Sequence, residues 1–385
     1  MFYLPFFFFS LSLVFFSSLR FRFAFQELEN YAASIFKKEA GLFVPSGTMG
    51  NLICVLCHCA SRGSEVILGN KSHICLYEQG GLSQIGGVHP RQLPNNSDGT
   101  IDPADILEAI REDDPHYPVT RLICLENTHN HCGGRVLSLQ YMRKIRKISN
   151  NHGIPIHLDG ARIMNAATHL QVSPARIAEH VDTVSFCLSK GLGAPIGSIV
   201  VGKSDFIRRC HRMRKALGGQ LRQVGILAAP GLIALRDMPQ EMKIDHACAL
   251  ELGKALNEIQ GLIVDVDAIE TNMVIVDVSA VCESTDEIIG ALEAEGVLSA
   301  ACGKGLLRLV THHQVRWQQV EKAVSAFQAY VYGAIGEARG ESNGTEKIAY
   351  DPESPVADVT CEYDPELGSV AKRMKRYVDP GNVDA

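Results

Sequence analysis

The sequence has no surplus of positive charge, with 37 Lys and Arg against 43 Asp and Glu and a formal net charge of −6. Long-range attraction to nucleic acid or an anionic membrane is therefore not an organising interaction, and small molecules are the expected partners. Cysteines at framework spacings are also absent. The 12 cysteines sit mostly inside apolar runs such as Ile53-Cys54-Val55 and Phe186-Cys187-Leu188. That setting suits buried, reduced thiols, so the body of the chain is expected in a reducing, cytoplasmic compartment. No internal repeat occurs. One long apolar run is present, Phe2 to Leu19, but no basic residue precedes it, no small-x-small cleavage site follows it, and Pro5 with Ser10, Ser12, Ser17 and Ser18 interrupts it. Residues 1–25 are accordingly expected to stand in place of part of the domain, with a signal or anchor as the alternative. Apolar periodicity is missing again from about Glu337, where Glu, Ser, Gly, Pro and Asp dominate. Such a stretch cannot bury enough surface to offset its ordering entropy, and 337–385 is expected to be a disordered tail.

Between these ends lies an ordinary globular composition, 46% hydrophobic and 21% charged over 385 residues. The length suits a large domain plus a smaller one. From Glu27 to about Leu235 short apolar runs alternate with amphipathic ones, the pattern of βα units feeding a mainly parallel sheet flanked by helices. Expected strands are Glu65–Gly69, Val88–Leu93, Arg121–Glu126, Pro155–Asp159, Thr183–Leu188 and Ser198–Val201. Helix punctuation is readable in Asp102 with Pro103, and in Ser138 with Gly153 around the basic helix Tyr141–His152. After Pro230 the pattern becomes a long helix near Gln240–Ile259, strands at Val264–Val266, Met273–Val278, around Leu298 and at Leu306–Val310, a helix Asp286–Glu295, and a closing helix holding Trp317. The expected division is 26–235 for a large α/β domain and 236–336 for a smaller C-terminal one.

Three local patterns carry chemistry. Lys190 ends an apolar strand and enters the glycine-rich loop Gly191-Leu-Gly193-Ala-Pro195-Ile-Gly197. An amine at a sheet's carboxyl edge is partly desolvated, which favours its neutral, nucleophilic form and makes Schiff-base chemistry possible. One unit earlier the strand ending at Asp159 leads into Gly160-Ala161-Arg162. If the two strands are parallel neighbours, Asp159 and Lys190 emerge together where open α/β sheets bind ligands. A buried aspartate there could keep a pyridine nitrogen protonated. Third, Ser46-Gly47-Thr48 precedes the apolar helix Leu52–Ala60 and offers backbone N–H groups and a hydroxyl to a phosphate. Each pattern has a plain structural reading too: a solvated lysine, a helix-capping aspartate, an ordinary N-cap.

Taken together, and in order, the motifs Phe43-Val-Pro-Ser-Gly-Thr-Met-Gly-Asn51, His73, Leu125-Glu-Asn-Thr-His-Asn130, His157-Leu-Asp-Gly-Ala-Arg162, Ser189-Lys-Gly-Leu-Gly-Ala-Pro195, Gly218-Gly-Gln-Leu-Arg-Gln223 and Arg308-Leu-Val-Thr-His312 resemble the low-specificity L-threonine aldolases. These are fold-type I enzymes dependent on pyridoxal 5′-phosphate (PLP). The resemblance runs from about Glu27 to the region of Trp317. It implies a lyase that splits L-threonine and related β-hydroxy amino acids into glycine and an aldehyde, working as a homotetramer. It also implies that Lys190 forms the Schiff base with the cofactor, that Asp159 partners the pyridine nitrogen, that His73 stacks on the ring, and that Gly47 and Thr48 take the phosphate. Arg222, with Lys215 nearby, would reach a phosphate across a subunit interface. Arg162 would lie against the cofactor and share the substrate carboxylate with Arg308, while His129 would stand near the β-hydroxyl. Another PLP-dependent reaction on the same lysine, or an impaired isoform of the aldolase, is the alternative. Its basis is that the resemblance begins only at Gln26-Glu-Leu-Glu-Asn30, after a family segment that contributes a Ser/Thr-rich turn and a tyrosine-bearing loop.

Two further patterns are set aside. Cys54-Val-Leu-Cys57-His58 has the spacing of a haem attachment but falls in an apolar helix, and His129-Asn-His131-Cys132 has no second ligand pair to make a metal site. No metal is expected.

Overall fold

The computed structural model describes residues 24–339. The Phe2–Leu19 run and the chain from residue 340 lie outside the described residues.

Among the described residues ten strands form two sheets. The larger, in the order β1-β7-β6-β5-β4-β2-β3, comprises β1 (Ala40–Val44), β2 (Ser64–Gly69), β3 (His89–Leu93), β4 (Val119–Glu126), β5 (Ile156–Asp159), β6 (Thr183–Cys187) and β7 (Ser198–Gly202). Strands β3, β2, β4, β5 and β6 are mutually parallel. All residues of β2, β5, β6 and β7 are buried, which is why they read as continuous apolar runs: helices cover both faces of a parallel sheet. Strand β1 was not expected from the sequence. It is a five-residue edge strand beginning Ala-Gly, antiparallel to β7, and is too short and too weakly β-branched to signal itself.

Register places the chemistry. Glu126 of β4 pairs with Asp159 of β5, and Asp159 pairs with Ser185 of β6, so two carboxyls leave the sheet side by side at its carboxyl edge. Lys190 follows three residues after β6. The chain then turns back antiparallel through β7, with the Leu188 N–H donating to the Gly197 carbonyl at 2.9 Å.

The expected caps are present. Ser46 caps the helix Gly47–His58 through the Met49 N–H, Asp102 accepts from the Ala104 N–H with Pro103 in the first turn, and Ser138 accepts from the Tyr141 N–H. The basic helix, Leu139–His152, closes on Gly153 in the left-handed conformation (φ 64°). Its buried residues Tyr141, Met142 and Ile145 belong to the same core as Phe36 and Phe186, whose rings stack at 4.8 Å.

The second sheet is antiparallel, β8 (Met273–Asp277), β9 (Ala300–Gly303) and β10 (Leu306–Val310) in the order β8-β10-β9. Helices Met242–Asn257, Thr285–Ala294 and Trp317–Arg339 accompany it. A second core, including Leu252, Val274, Val276, Leu307 and Phe327, lies between them. Three expectations are corrected here. Val264–Val266 is not a strand, because Asp265 caps a 3-10 turn Val266–Ala268. The strand expected around Leu298 starts at Ala300, with Leu298 itself 77% exposed. The last helix runs through Arg339, past the expected start of the tail.

Polar contacts fix the smaller sheet against the larger. Glu270 accepts the Val136 N–H at 2.6 Å and pairs with Arg135 at 3.0 Å, and the Thr271 hydroxyl donates to the Gly134 carbonyl at 3.0 Å. The loop carrying Asn130 is therefore tied to the segment entering β8, the strand that pairs with Arg308 in β10.

Glycine matters most at Gly197, which holds φ 101° and whose missing Cβ would run into the buried Phe43 ring. Gly153, also at positive φ, has nothing within 4 Å of that position. Backbone strain alone should make Gly153→Ala cost about 1 kcal/mol, while strain plus overpacking should bring Gly197→Ala to about 2 to 4 kcal/mol. Urea unfolding of the two variants measures the difference. Equal losses would show that the Phe43 ring yields freely.

Candidate active site

The helix Gly47–His58 opens the site. Its first turn leaves backbone N–H groups that the helix does not use, and Ser46 occupies the Met49 and Gly50 amides. Thr48 is exposed there. A Cβ on Gly47 would lie 3.0 Å from Cys187 Sγ and 3.7 Å from Ser198 Oγ, so this helix start approaches the β6 edge closely. Gly219, in the loop after the helix Ser204–Ala216, backs onto Met49.

Asp159 is 3% exposed. Asn51 Nδ2 donates to its Oδ2 at 2.8 Å, and the Ala161 N–H donates to its Oδ1 at 3.1 Å. The same Asn51 nitrogen donates to Glu78 Oε1 at 2.8 Å, and His73 Nδ1 lies 3.0 Å from that oxygen. The hydrogen bond to Glu78 raises His73 above the ordinary histidine value, with Asp159 adding to the rise and Lys190 opposing it. Burial raises Glu78 in turn. These shifts put His73, Asp159 and Lys190 within electrostatic reach of one another. Cys187 extends the group: burial lifts its thiol, Lys190 and Arg162 pull it back, and Asp159 adds to the rise.

Glu126 completes the carboxyl edge. One of its oxygens accepts the His73 N–H at 2.7 Å and the other the Asn130 N–H at 2.8 Å. Burial, reinforced by the neighbouring Asp159, pushes this carboxyl up to about 7. Beyond it, Arg162 Nη1 donates to Asn130 Oδ1 at 3.0 Å, and Arg308 Nη1 donates to the same oxygen at 3.2 Å. Burial and the Arg308 charge lower the Arg162 guanidinium to about 10. Among the described residues Arg308 Nε is buried with no hydrogen-bond partner, and the same holds for both ring nitrogens of His129. Burial holds His129 down to about 4, so it is neutral near neutral pH.

Six residues expected from the sequence thus gather around one sheet edge: Gly47, His73, Asp159, Arg162, Lys190 and Arg308, with Thr48 beside Gly47 and His129 beside Asn130. Lys215 and Arg222 do not join them within this chain. Both are exposed, Arg222 in the loop following Gly219. Residues that sequence reasoning passed over are Asn51, Glu78, Glu126 and Asn130. Asn51, Glu126 and Asn130 stood inside the recognised motifs, but nothing in their spacing marked them as buried bridges.

The remaining two motifs set aside also resolve. Cys54 and Cys57 are buried in the helix Gly47–His58, in an apolar cluster with Cys210. His131 Nδ1 lies 3.1 Å from the Tyr77 hydroxyl, while His129 is buried.

A mainly parallel sheet with a lysine, a buried aspartate and a histidine at its carboxyl edge, next to a helix start, defines a fold-type I PLP-dependent enzyme. The donor set fits that cofactor: an acceptor carboxylate for a protonated ring nitrogen, an amine for its aldehyde, and free amides for its phosphate. The profile of the β-eliminating lyase family matches residues 23–279. Low-specificity L-threonine aldolase 1 of Arabidopsis thaliana is 46% identical over 306 residues, covering 79% of this chain and 86% of that one. The low specificity L-threonine aldolase of Escherichia coli (strain K12) is 37% identical over 304 residues, covering 79% and 88%. The solved structure of Leishmania major threonine aldolase superposes with a TM-score of 0.64 at 20% identity, over 81% of this chain and 89% of that one. The chain belongs to the β-eliminating lyase family, among its threonine aldolases, and is a PLP-dependent lyase.

Glu126 supplies a test of this electrostatic picture. Its folded-state value of about 7 lies above the ordinary 4.5, so the stability it contributes is full below about 4.5 and is lost as pH rises through about 7. Glu126→Gln removes that titration but offers one acceptor oxygen where two N–H groups need one each. A lost hydrogen bond costs roughly 1 kcal/mol. The variant should therefore be the less stable at pH 5, with the gap narrowing by pH 8, as read from urea midpoints. A gap independent of pH would show that Glu126 does not titrate in this window.

Proposed function

We propose that this chain cleaves L-threonine and L-allo-threonine to glycine and acetaldehyde. The observation that carries the reading is the meeting of two guanidinium groups on Asn130 Oδ1, Arg162 from the helix start after β5 and Arg308 from β10 of the smaller sheet, with Arg162 in electrostatic reach of Asp159. Two half-buried cations with a common focus suit an α-carboxylate, which accepts charge-assisted hydrogen bonds in a planar fork.

Each residue has a defined task. Lys190 supplies the amine through which the cofactor is attached. Asp159 would hold the proton on the ring nitrogen, His73 would lie against the ring, and Gly47 and Thr48 would take the phosphate. When bound, PLP supplies an electron-withdrawing ring able to accept the electrons of a broken Cα–Cβ bond. Arg162 and Arg308 bind the carboxylate, and by fixing the amino acid they decide which bond of Cα stands in the reactive orientation. His129, neutral because of its burial, takes the proton of the β-hydroxyl directly or through one water. Cleavage of the Cα–Cβ bond then turns the hydroxyl carbon into the departing aldehyde, and protonation at Cα gives glycine.

We assign residues 26–235 to the cofactor-binding part and 236–336 to the part that supplies Arg308. We also infer a homotetramer in which Arg222, with Lys215 nearby, serves a neighbour's phosphate. The exposure of Leu221 and Ile226, at 41% and 66%, on either side of Arg222 supports a covered surface there. A cytoplasmic setting is supported by the described cysteines, all of which are free. Among the described residues no helix is long and apolar enough to cross a membrane.

The direct test is product analysis. Purified chain with added PLP and L-threonine should release glycine and acetaldehyde in equal amounts, and Lys190→Ala should release neither while keeping its fold. Formation of 2-oxobutanoate and ammonia instead would assign β-elimination. For the clamp, losing a charge-assisted bond in the transition state should cost about 2 to 4 kcal/mol, or roughly 30- to 1000-fold in kcat/KM. Arg308→Lys should fall in this range and Arg308→Ala below it. Either variant acting within a few-fold of its parent would place the carboxylate elsewhere.

A further inference from the structure

The side chain of Asn51 is 2% exposed and makes three hydrogen bonds. Its nitrogen donates to two carboxyls, Glu78 and Asp159, so the amide can face only one way and its oxygen must accept. The atom within reach of that oxygen is His157 Nε2, at 3.1 Å. His157 is buried and neutral, its ring held to about 3 by desolvation. With its one proton on Nε2, its Nδ1 accepts from the Thr183 hydroxyl, 3.0 Å away. The Thr183 oxygen is then free to accept from His58 Nε2, also at 3.0 Å. Burial keeps His58 neutral as well, at about 4. The direction of every bond from His58 to the two carboxyls is thereby determined, without a charged member before the carboxyls are reached.

The layout explains why this chain of bonds is rigid. Asn51 lies one turn after Gly47 and His58 two turns after Asn51, on the same face of one helix. His157 and Thr183 are register partners on adjacent strands, β5 and β6. The path leaves the helix at Asn51, crosses two strands and returns to the helix at His58. Its output is at the site: Asp159 directly, and His73 through Glu78.

We propose that Asn51 is a positioning residue that sets Asp159 and His73 as one unit around the cofactor ring, with His157, Thr183 and His58 locking the orientation of its amide. This rests on the assignment of Asp159 to the ring nitrogen. An uncharged amide is suited to the task, because it orients the Asp159 carboxylate without cancelling the charge that the ring nitrogen needs. The only other hydrogen bond to this carboxylate among the described residues is the Ala161 N–H, which is also uncharged.

The test is a double-variant cycle on the full chain, read by visible titration of cofactor affinity together with kcat and KM for L-threonine. Asn51→Leu, which keeps side-chain volume but cannot donate, should weaken PLP affinity and lower kcat by about tenfold each, with KM changed by less than about threefold. In an Asp159→Asn background the same substitution should change kcat by less than about twofold, because the carboxylate it orients is gone. Fully additive losses beside an impaired Asp159→Asn chain would overturn the positioning role alone. An Asp159→Asn chain as active as its parent would overturn the ring-nitrogen assignment and this proposal with it. Should Asn51→Leu fail to fold, His157 decides. His157→Gln, which keeps a donor near the Nε2 position, should retain cofactor affinity and kcat within about threefold, and His157→Phe should lose about tenfold in each. Equal behaviour of these two variants would sink the relay.

Discussion

Two guanidinium groups sharing one amide oxygen form the contact on which the rest of the molecule depends. Like charges at this separation repel, and a half-buried position screens them poorly. Burial first, and the Arg308 charge after it, lower the Arg162 guanidinium. Such a pair persists only because rigid elements hold each member: Arg162 at the start of the helix after β5, and Arg308 inside β10 with Leu307 and Leu309 buried on either side. The fold therefore spends stability to maintain a concentration of positive charge, which the substrate carboxylate proposed above would relieve.

The carboxyl side of the site follows the opposite logic. Glu78, Glu126 and Asp159 approach one another at the sheet edge, and burial alone would make three carboxylates intolerable. Uncharged donors meet most of the need, namely the amide of Asn51 and the backbone N–H groups of His73, Asn130 and Ala161, and the His73 imidazole pairs with Glu78. Full compensation by cations would have neutralised the edge. At Glu126 the two backbone N–H groups pull the carboxyl down by less than burial and Asp159 push it up, which leaves it at about 7.

Much of this was legible in the sequence, for identifiable reasons. Lys190 and Asp159 close apolar runs, and a run's end is where a buried strand meets solvent. Gly47 and Thr48 stand at a helix start marked by Ser46. The neighbouring bridges were hidden because hydropathy patterns record whether a residue is apolar, and a buried polar side chain has no such signature. Asn51 in an apolar helix and Glu126 at the end of an apolar strand look like ordinary punctuation until their partners are brought to them. Strand β1 was hidden by brevity, and the segment at Val264 by a competing Asp265 cap. Lys215 and Arg222 were legible as motif residues, yet a single chain gives them nothing to hold.

One consequence follows from the segment 126–136. Its residues hold the His73 backbone through Glu126, both arginines through Asn130, and the second sheet through Arg135 and Val136. A joint with so many obligations has little room to vary, since any shift that suits one partner disturbs the others. The coupling even reaches the rim: the exposed Tyr77 lies 5.6 Å ring to ring from His73, and its hydroxyl meets His131 Nδ1 of the same segment at 3.1 Å, so a side chain open to solvent shares the joint's constraints.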